Sequence, residues 1–554
     1  MTERQVSFWR RNRWLAWFTG GVLLLLAIAA VVVSVLLHRA EPYVRARIVA
    51  ALQQHFHARV ELDSFHMSLV NGLWAEGKGL RIWAPDGSAQ PMPGDQPLIR
   101  LAEFRFHAPL HYTQGGPVHI SVVQLKGLDV DLPPRSRFTR LSGGTAKAAD
   151  QSGNAMGLLR FEIDRIECTG ARLKLETDKP GKLPLVFDIA RLDLTGISSG
   201  GAIGFEAELT NPRPKGTIRA KGSVGPWAVE DPGLTPIAGS YIFEHADLAT
   251  FRGIAGTLDS TGRYQGVLRD LTVDGETRTR DFRLDRSGNP LPLRTRFHAQ
   301  VDATDGDTRL DPVDAMLGHS HFIAQGEIVR VAPARNGSAV IQPGGHNIDL
   351  TVNVDQGRIE DFLLLASRSP TPLLTGAVTM KTTLRIPPGP APIRKRLEMN
   401  GSFLVNEAQF TSAKIQDRIQ DLSLRAQGRP GDVKTANPSQ TRSTMQGDFQ
   451  IANGVVTLPA LQYTVPGVQI NLKGTYHLEG GAIYFLGNAR MDATVSQMVG
   501  GWKGMLLKPL DRYFQKDGAG TDVPIHIEGT RQDPDFAIDF DRLKTTSPQR
   551  PGRP

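Results

Sequence analysis

No charged residue lies between Arg13 and His38. As a helix, residues 14–37 would run about 36 Å at roughly 1.5 Å per residue, enough to cross a hydrocarbon core of about 30 Å. A helix is the economical crossing, because it satisfies its own backbone polar groups. The apolar run Leu15–Leu37 is therefore read as a single transmembrane anchor. Arg4, Arg10, Arg11 and Arg13 precede it, and Trp9, Trp14 and Trp17 stand at or near its entry edge. Lys/Arg excess favours the cytoplasmic side and Trp the interface. Residues 1–14 are thus expected inside and the chain after the anchor outside. Arg39, Arg45 and Arg47 follow the span and narrow the charge bias. The rival reading is a cleaved signal peptide, but the apolar run is longer than such a region needs, and the sequence from His38 to Pro42 offers no small-x-small cleavage site.

The rest of the chain is of soluble type, with a mean hydropathy of −0.23 for the whole. A 554-residue chain is too long for one ordinary core. With 57 Gly, 37 Pro and only 22% charged residues, it favours many short strands over long helices. The net charge of +8 is scattered, which fits a solvated basic surface. The alternative is attraction to anionic lipid. No basic–aromatic module points to nucleic acid. The single cysteine, Cys168, rules out an internal disulfide.

Glu41–His57 places Val44, Ile48, Leu52 and Phe56 four apart, with Pro42 in the first turn: an amphipathic helix. It either covers the first strands or lies on the membrane surface. From Ala58 the period becomes two. Val60 and Leu62 alternate in one phase, Phe65 and Met67 in the other, which predicts a bulge near Ser64. Leu80 and Ile82 are expected after a glycine-rich turn. Val122–Leu132, Ile163–Leu175 and Ile189–Gly196 echo one another weakly, and are read as strand–turn–strand units of a meander. Residues 41–132 thus form the helix and first strands, 133–157 a flexible insertion, and 158–330 the middle strands. Gly266–Val273 is assigned as one of these. Residues 331–346 read as a linker, 347–540 as a C-terminal region and 541–554 as a polar tail. Within the C-terminal region, Ile415, Ile419 and Leu422 suggest one or two helical turns. Thr494–Phe514 returns to helical spacing, with Val495, Met498, Trp502, Met505, Leu506, Leu510 and Phe514 on the apolar side. Frequent glycine inside strands implies bends or close approach of another group.

The single span, the amphipathic helix and Arg59–Trp83 resemble the start of the AsmA-like family of bacterial envelope proteins. So does the C-terminal portion, from Gly401-Ser402-Phe403 through Phe410-Thr411 to Ile415-Gln416, closing in Gly529-Thr530, Pro534 and Phe536. The resemblance implies a mainly β fold: a long curved antiparallel sheet forming a trough with an apolar inner face, and a few short amphipathic helices. It implies an anchor in the inner membrane and a periplasmic body. It also implies phospholipid as cargo, moved toward the outer membrane in support of outer-membrane biogenesis. A scaffold working through outer-membrane or periplasmic protein partners is the alternative. The expected groove residues are Val378, Met380, Leu384, Phe403, Val405, Phe449, Ile451, Tyr484 and Leu486.

No nucleophile–base set or nucleotide loop is written in the sequence, so no enzyme and no cofactor are expected. Asp302, Asp305, Asp307, Asp311 and Asp314 could hold a hard cation, but their order does not fit a calcium loop, and an acidic turn is the simpler reading. His319 and His321 would point the same way on a strand and could ligate a metal, though no third ligand is evident. The expected metal set is none.

Overall fold

The computed structural model describes residues 41–50, 52–53, 58–68, 73–83, 96–108, 118–132, 161–175, 184–197, 201–226, 231–251, 253–284, 289–304, 306–331, 334–336, 339–342, 345–434, 442–499, 520–530 and 534–538, and singly 39, 228, 508 and 511. The expected anchor lies outside the described residues, among which no helix is long and apolar enough to cross a membrane. The protein is mainly β. It divides into two compact units, Met1–Pro212 with Gly216–Tyr241, and Arg213–Lys215 with Ile242–Pro554. Each is an open sheet of mostly antiparallel strands.

In the first unit the helix over 41–50 lays Val44, Ile48 and Val49 on Leu62, Phe65, Leu101 and Phe104. Its polar side chains also reach the backbone of the first strands. Met67 N–H donates to Glu41 Oε1 (3.0 Å), the Arg45 guanidinium donates to the Leu62 carbonyl, and Gln53 Nε2, just beyond this stretch, donates to that of Val60 (3.5 Å). An exposed strand edge invites pairing with another chain. These side chains occupy three of its backbone groups.

The phase change predicted near Ser64 is present, between Val60–Glu61 and Ser64–Ser68. It continues across the sheet. Gly79 stands opposite Ala102, between the pairs Lys78–Glu103 and Leu80–Leu101; Ala102 in turn stands opposite Gly127, and Gly127 beside Gly170. Gly79, Gly127 and Gly170 all have φ between +65° and +70°, a conformation glycine adopts without cost. At this crease the inward side shifts by one residue in strand after strand. Leu125 and Leu128 both face inward, as do Cys168 and Ala171, and the exposed Lys126 between the first pair reaches out to Glu103 (3.8 Å).

The crease corrects two expectations. Gly77 and Gly79 lie inside one strand, Leu73–Ile82, and make no turn. The echoing segments are single bulged strands, not strand–turn–strand units. Val118–Leu132 and Phe161–Leu175 run side by side in parallel, 43 residues apart along their whole register. The second half of the echo, Gly127-Leu128-x-Val130 against Gly170-Ala171-x-Leu173, is literally adjacent. A parallel pair cannot be joined by a tight turn; residues 133–160, which separate the two strands in sequence and include the expected insertion 133–157, lie outside the described residues.

In the second unit the strands follow one another as hairpins from Thr257–Val267 to Pro534–Ile538. Gly266–Val273 is one hairpin tip: the chain turns between Val267 and Asp270. The expected linker holds a small hairpin of its own, Ala334–Asn336 with Ala339–Gln342. The one or two turns expected near Ile415 are a 14-residue helix, Ala413–Ala426.

Candidate functional site: an apolar face with one side filled

Directly paired residues of an antiparallel sheet share a face. In the second unit the register joins Leu384 to Met399, Ile451, Val456, Tyr476 and Ile483 in one row. Thr382, Gly401 and Phe449 form the row beside it, Met380 and Phe403 the next, and Val378, Val405, Met445 and Tyr463 the one after. Thus Val378, Met380, Leu384, Phe403, Val405, Phe449 and Ile451 lie on one face, as their period-two spacing requires. The other face carries Lys381, Ser402, Asp448 and Gln446.

That apolar face is not uniform. On the side of Val378 and Val405, helices fill it. Phe362 and Leu363 from Ile359–Ala366, Ile419 and Leu422 from Ala413–Ala426, and Met498 from Val495–Val499 pack against Val354, Val378, Val405 and Tyr463. Val405 is 0% exposed. Burial pushes the Tyr463 phenol above its ordinary range.

The helices are fastened by polar contacts. Ser423 Oγ donates to the Pro466 carbonyl (2.6 Å), Phe410 N–H donates to Gln416 Oε1 (3.1 Å), and Ala493 N–H donates to the Ala426 carbonyl (2.8 Å). For the helix Ile359–Ala366, the buried Asp361 accepts from His319 N–H (2.9 Å) and Ser320 Oγ (2.7 Å). Asn289 Nδ2 donates to the carbonyls of Leu364, Ser367 and Ser369. Groups bound this closely to strand ends form a fixed filling.

The row from Leu384 to Ile483 is different. Leu384, Met399, Ile451, Val456, Tyr476 and Ile483 are all half-buried, and none belongs to the helix-packed cluster. A repeated device keeps the face shallow: phenylalanine rings lie over glycines of the next strand. Phe449 covers Gly401 and Phe485 covers Gly474, with Phe297 over Gly275 elsewhere in this unit. Phe104 does the same over Gly77 in the first unit. The glycine density of the sequence is explained by this close approach.

Tyr484 and Leu486 do not join the groove. Their register partners are Thr475 with Glu528 and Lys473 with His526, on the polar face, and Tyr484 is 50% exposed. The inward residues here are Ile483 and Phe485. Ala482–Leu486 alternates apolar side chains in both phases, so its spacing alone did not choose between them. Of the C-terminal helix, Val495 and Met498 are described, and Met498 is part of the filling. Trp502, Met505, Leu506, Leu510 and Phe514 lie outside the described residues.

The metal candidates separate. His319 sits in a turn, its side chain 88% exposed, whereas His321 on the strand is held between Asp355 (2.8 Å) and Asp314 (3.3 Å). Asp302 caps its own turn, accepting from Thr304 N–H and Oγ1, and Asp307 accepts from Arg330 N–H. Asp305 lies outside the described residues. Among the described residues no group of three His, Cys, Asp or Glu could hold a metal ion.

Compared with protein-family models, with curated proteins and with solved structures, the chain finds no match.

Proposed function

We propose that the protein is an inner-membrane-anchored periplasmic lipid-binding protein, AsmA-like in plan, whose open apolar row holds phospholipid acyl chains and passes them toward the outer membrane. The single supporting observation is the half-buried row Leu384–Met399–Ile451–Val456–Tyr476–Ile483 beside a filled core. An acyl chain gains about 0.8 kcal/mol per buried CH₂ relative to water. It gains almost nothing relative to a bilayer, so cargo can move on instead of sticking. A headgroup can remain at the margin of the row.

The alternative is a scaffold acting by protein contacts, with no cargo. The two readings separate at Ile451. The full chain is expected to co-purify with phospholipid, and Ile451→Glu is expected to remove that lipid while leaving the thermal midpoint nearly unchanged. A wild-type preparation free of lipid, and unable to take up a fluorescent phospholipid, would sink the lipid reading.

A further inference from the structure

The same face of the second unit carries a polar row. Ser260, Thr277 and Thr295 are direct register partners, and the row continues through Ala315 to Phe322, which packs against the filled core. Thr279 is two residues along from Thr277 and shares its face. Hydroxyls on an apolar face are costly unless their hydrogens find acceptors.

The hydrogens can be counted. Ser260 Oγ donates to the Glu276 carbonyl (3.1 Å). The Thr277 and Thr295 hydroxyls stand 2.7 Å apart and share one hydrogen, so the other of their two hydrogens meets no protein acceptor. Thr279 is 1% exposed, and its hydroxyl oxygen has no partner. Two donors are therefore unspent. Thr277 and Thr295 are only half-buried, so a molecule on this face can reach them.

We infer that this hydroxyl row is a polar subsite that accepts the oxygen-bearing end of an acyl lipid, a carboxylate or an ester carbonyl, while the apolar chain lies on the face beside it. The inference rests on the lipid reading above, but it fails separately from it. Thr279 is enclosed, but the hydrogen left over at the half-buried Thr277–Thr295 pair can be donated to one carbonyl or carboxylate oxygen, whereas a bare hydrocarbon there would leave it unsatisfied.

The test uses the full chain in an amphipathic-polymer belt and three fluorescent probes: cis-parinaric acid, its methyl ester, and diphenylhexatriene, which has no oxygen. Thr277→Val with Thr295→Val keeps shape and strand propensity but removes the hydroxyls. It is expected to weaken parinaric acid or its ester about fivefold or more and leave diphenylhexatriene unchanged. Loss for the acid alone assigns the subsite to a carboxylate; loss for both assigns it to any carbonyl oxygen. Thr295→Ser, which keeps a hydroxyl, should bind as the wild type does. If all three probes bind and the double variant loses none of them, or loses diphenylhexatriene equally, the subsite is overturned and the groove stands. If no probe binds the wild-type chain, both ideas fall together.

Discussion

The ring of Phe449 lies across Gly401, its direct partner in the neighbouring strand, so that a Cβ added at Gly401 would come within 3.0 Å of the ring and 2.4 Å of the Lys381 carbonyl. Alanine has the better strand propensity, yet here it has no room. Gly401→Ala is expected to destabilise the second unit by about 1–3 kcal/mol, as overpacking does. Urea unfolding measures it, and a midpoint equal to or above that of the wild type would show that the ring does not hold this position.

Val405 and Ile451 are on one face but should respond differently to charge. Val405 is fully enclosed by strand and helix side chains. Val405→Glu is expected to cost about 3 kcal/mol or more, because a carboxylate there has neither water nor a partner. Ile451→Glu can turn its carboxylate to solvent and should cost under about 1.5 kcal/mol. Thermal melts of the two variants decide this; equal losses would mean that the row is as closed as the core.

The helix over 41–50 should keep the first strand edge monomeric. Glu41→Ala with Arg45→Ala frees the Met67 N–H and the Leu62 carbonyl. The double variant is expected to self-associate as concentration rises, where the wild type does not. Sedimentation velocity over a concentration series reads this directly.

His321 supplies a pH dependence. Its hydrogen bond to Asp355, with a second to Asp314, raises the imidazole above its ordinary 6.5, while the same hydrogen bond lowers Asp355 below its ordinary 3.8. A raised histidine stabilises fully below its unfolded value and loses that contribution as pH rises through its folded value. A lowered carboxylate stabilises above its unfolded value and loses that contribution as pH falls through its folded one. The pair is therefore worth most between about pH 4 and 6.5. The difference in thermal midpoint between wild type and His321→Asn should shrink from pH 5.5 to pH 8.5. A difference independent of pH would mean that His321 acts only by packing.

Much of this was legible in the residues. Seven of the nine expected groove positions share a face because period-two spacing survives wherever one phase is apolar, as in Val378-x-Met380 or Phe403-x-Val405. It failed at Tyr484 and Leu486, where both phases are apolar and only the opposing Gly474, Thr475 and Glu528 settle the matter. Glu528 is distant in sequence, and Gly474 and Thr475 have no apolar period of their own to set the phase. The filling of Val378 and Val405 was hidden for a related reason: Ile415, Ile419 and Leu422 announce a helix but not the strands it lands on. The crease was announced at Ser64 and could have been followed through Gly79, Gly127 and Gly170, had glycine been read as a skipped step within a strand rather than as a turn.

That crease has a consequence for how such a chain can change. Deleting Gly127 alone, with Ala102 and Gly170 holding the crease on either side, would move the later residues of the strand one place along their partners, turning Asp129 inward and Val130 to the solvent side, trading oil for salt over half a strand. Exchanging one side chain for another of like character does nothing of the kind. A lineage built this way can drift freely in composition while its strand lengths stay frozen, and any indel it tolerates should be found at hairpin tips.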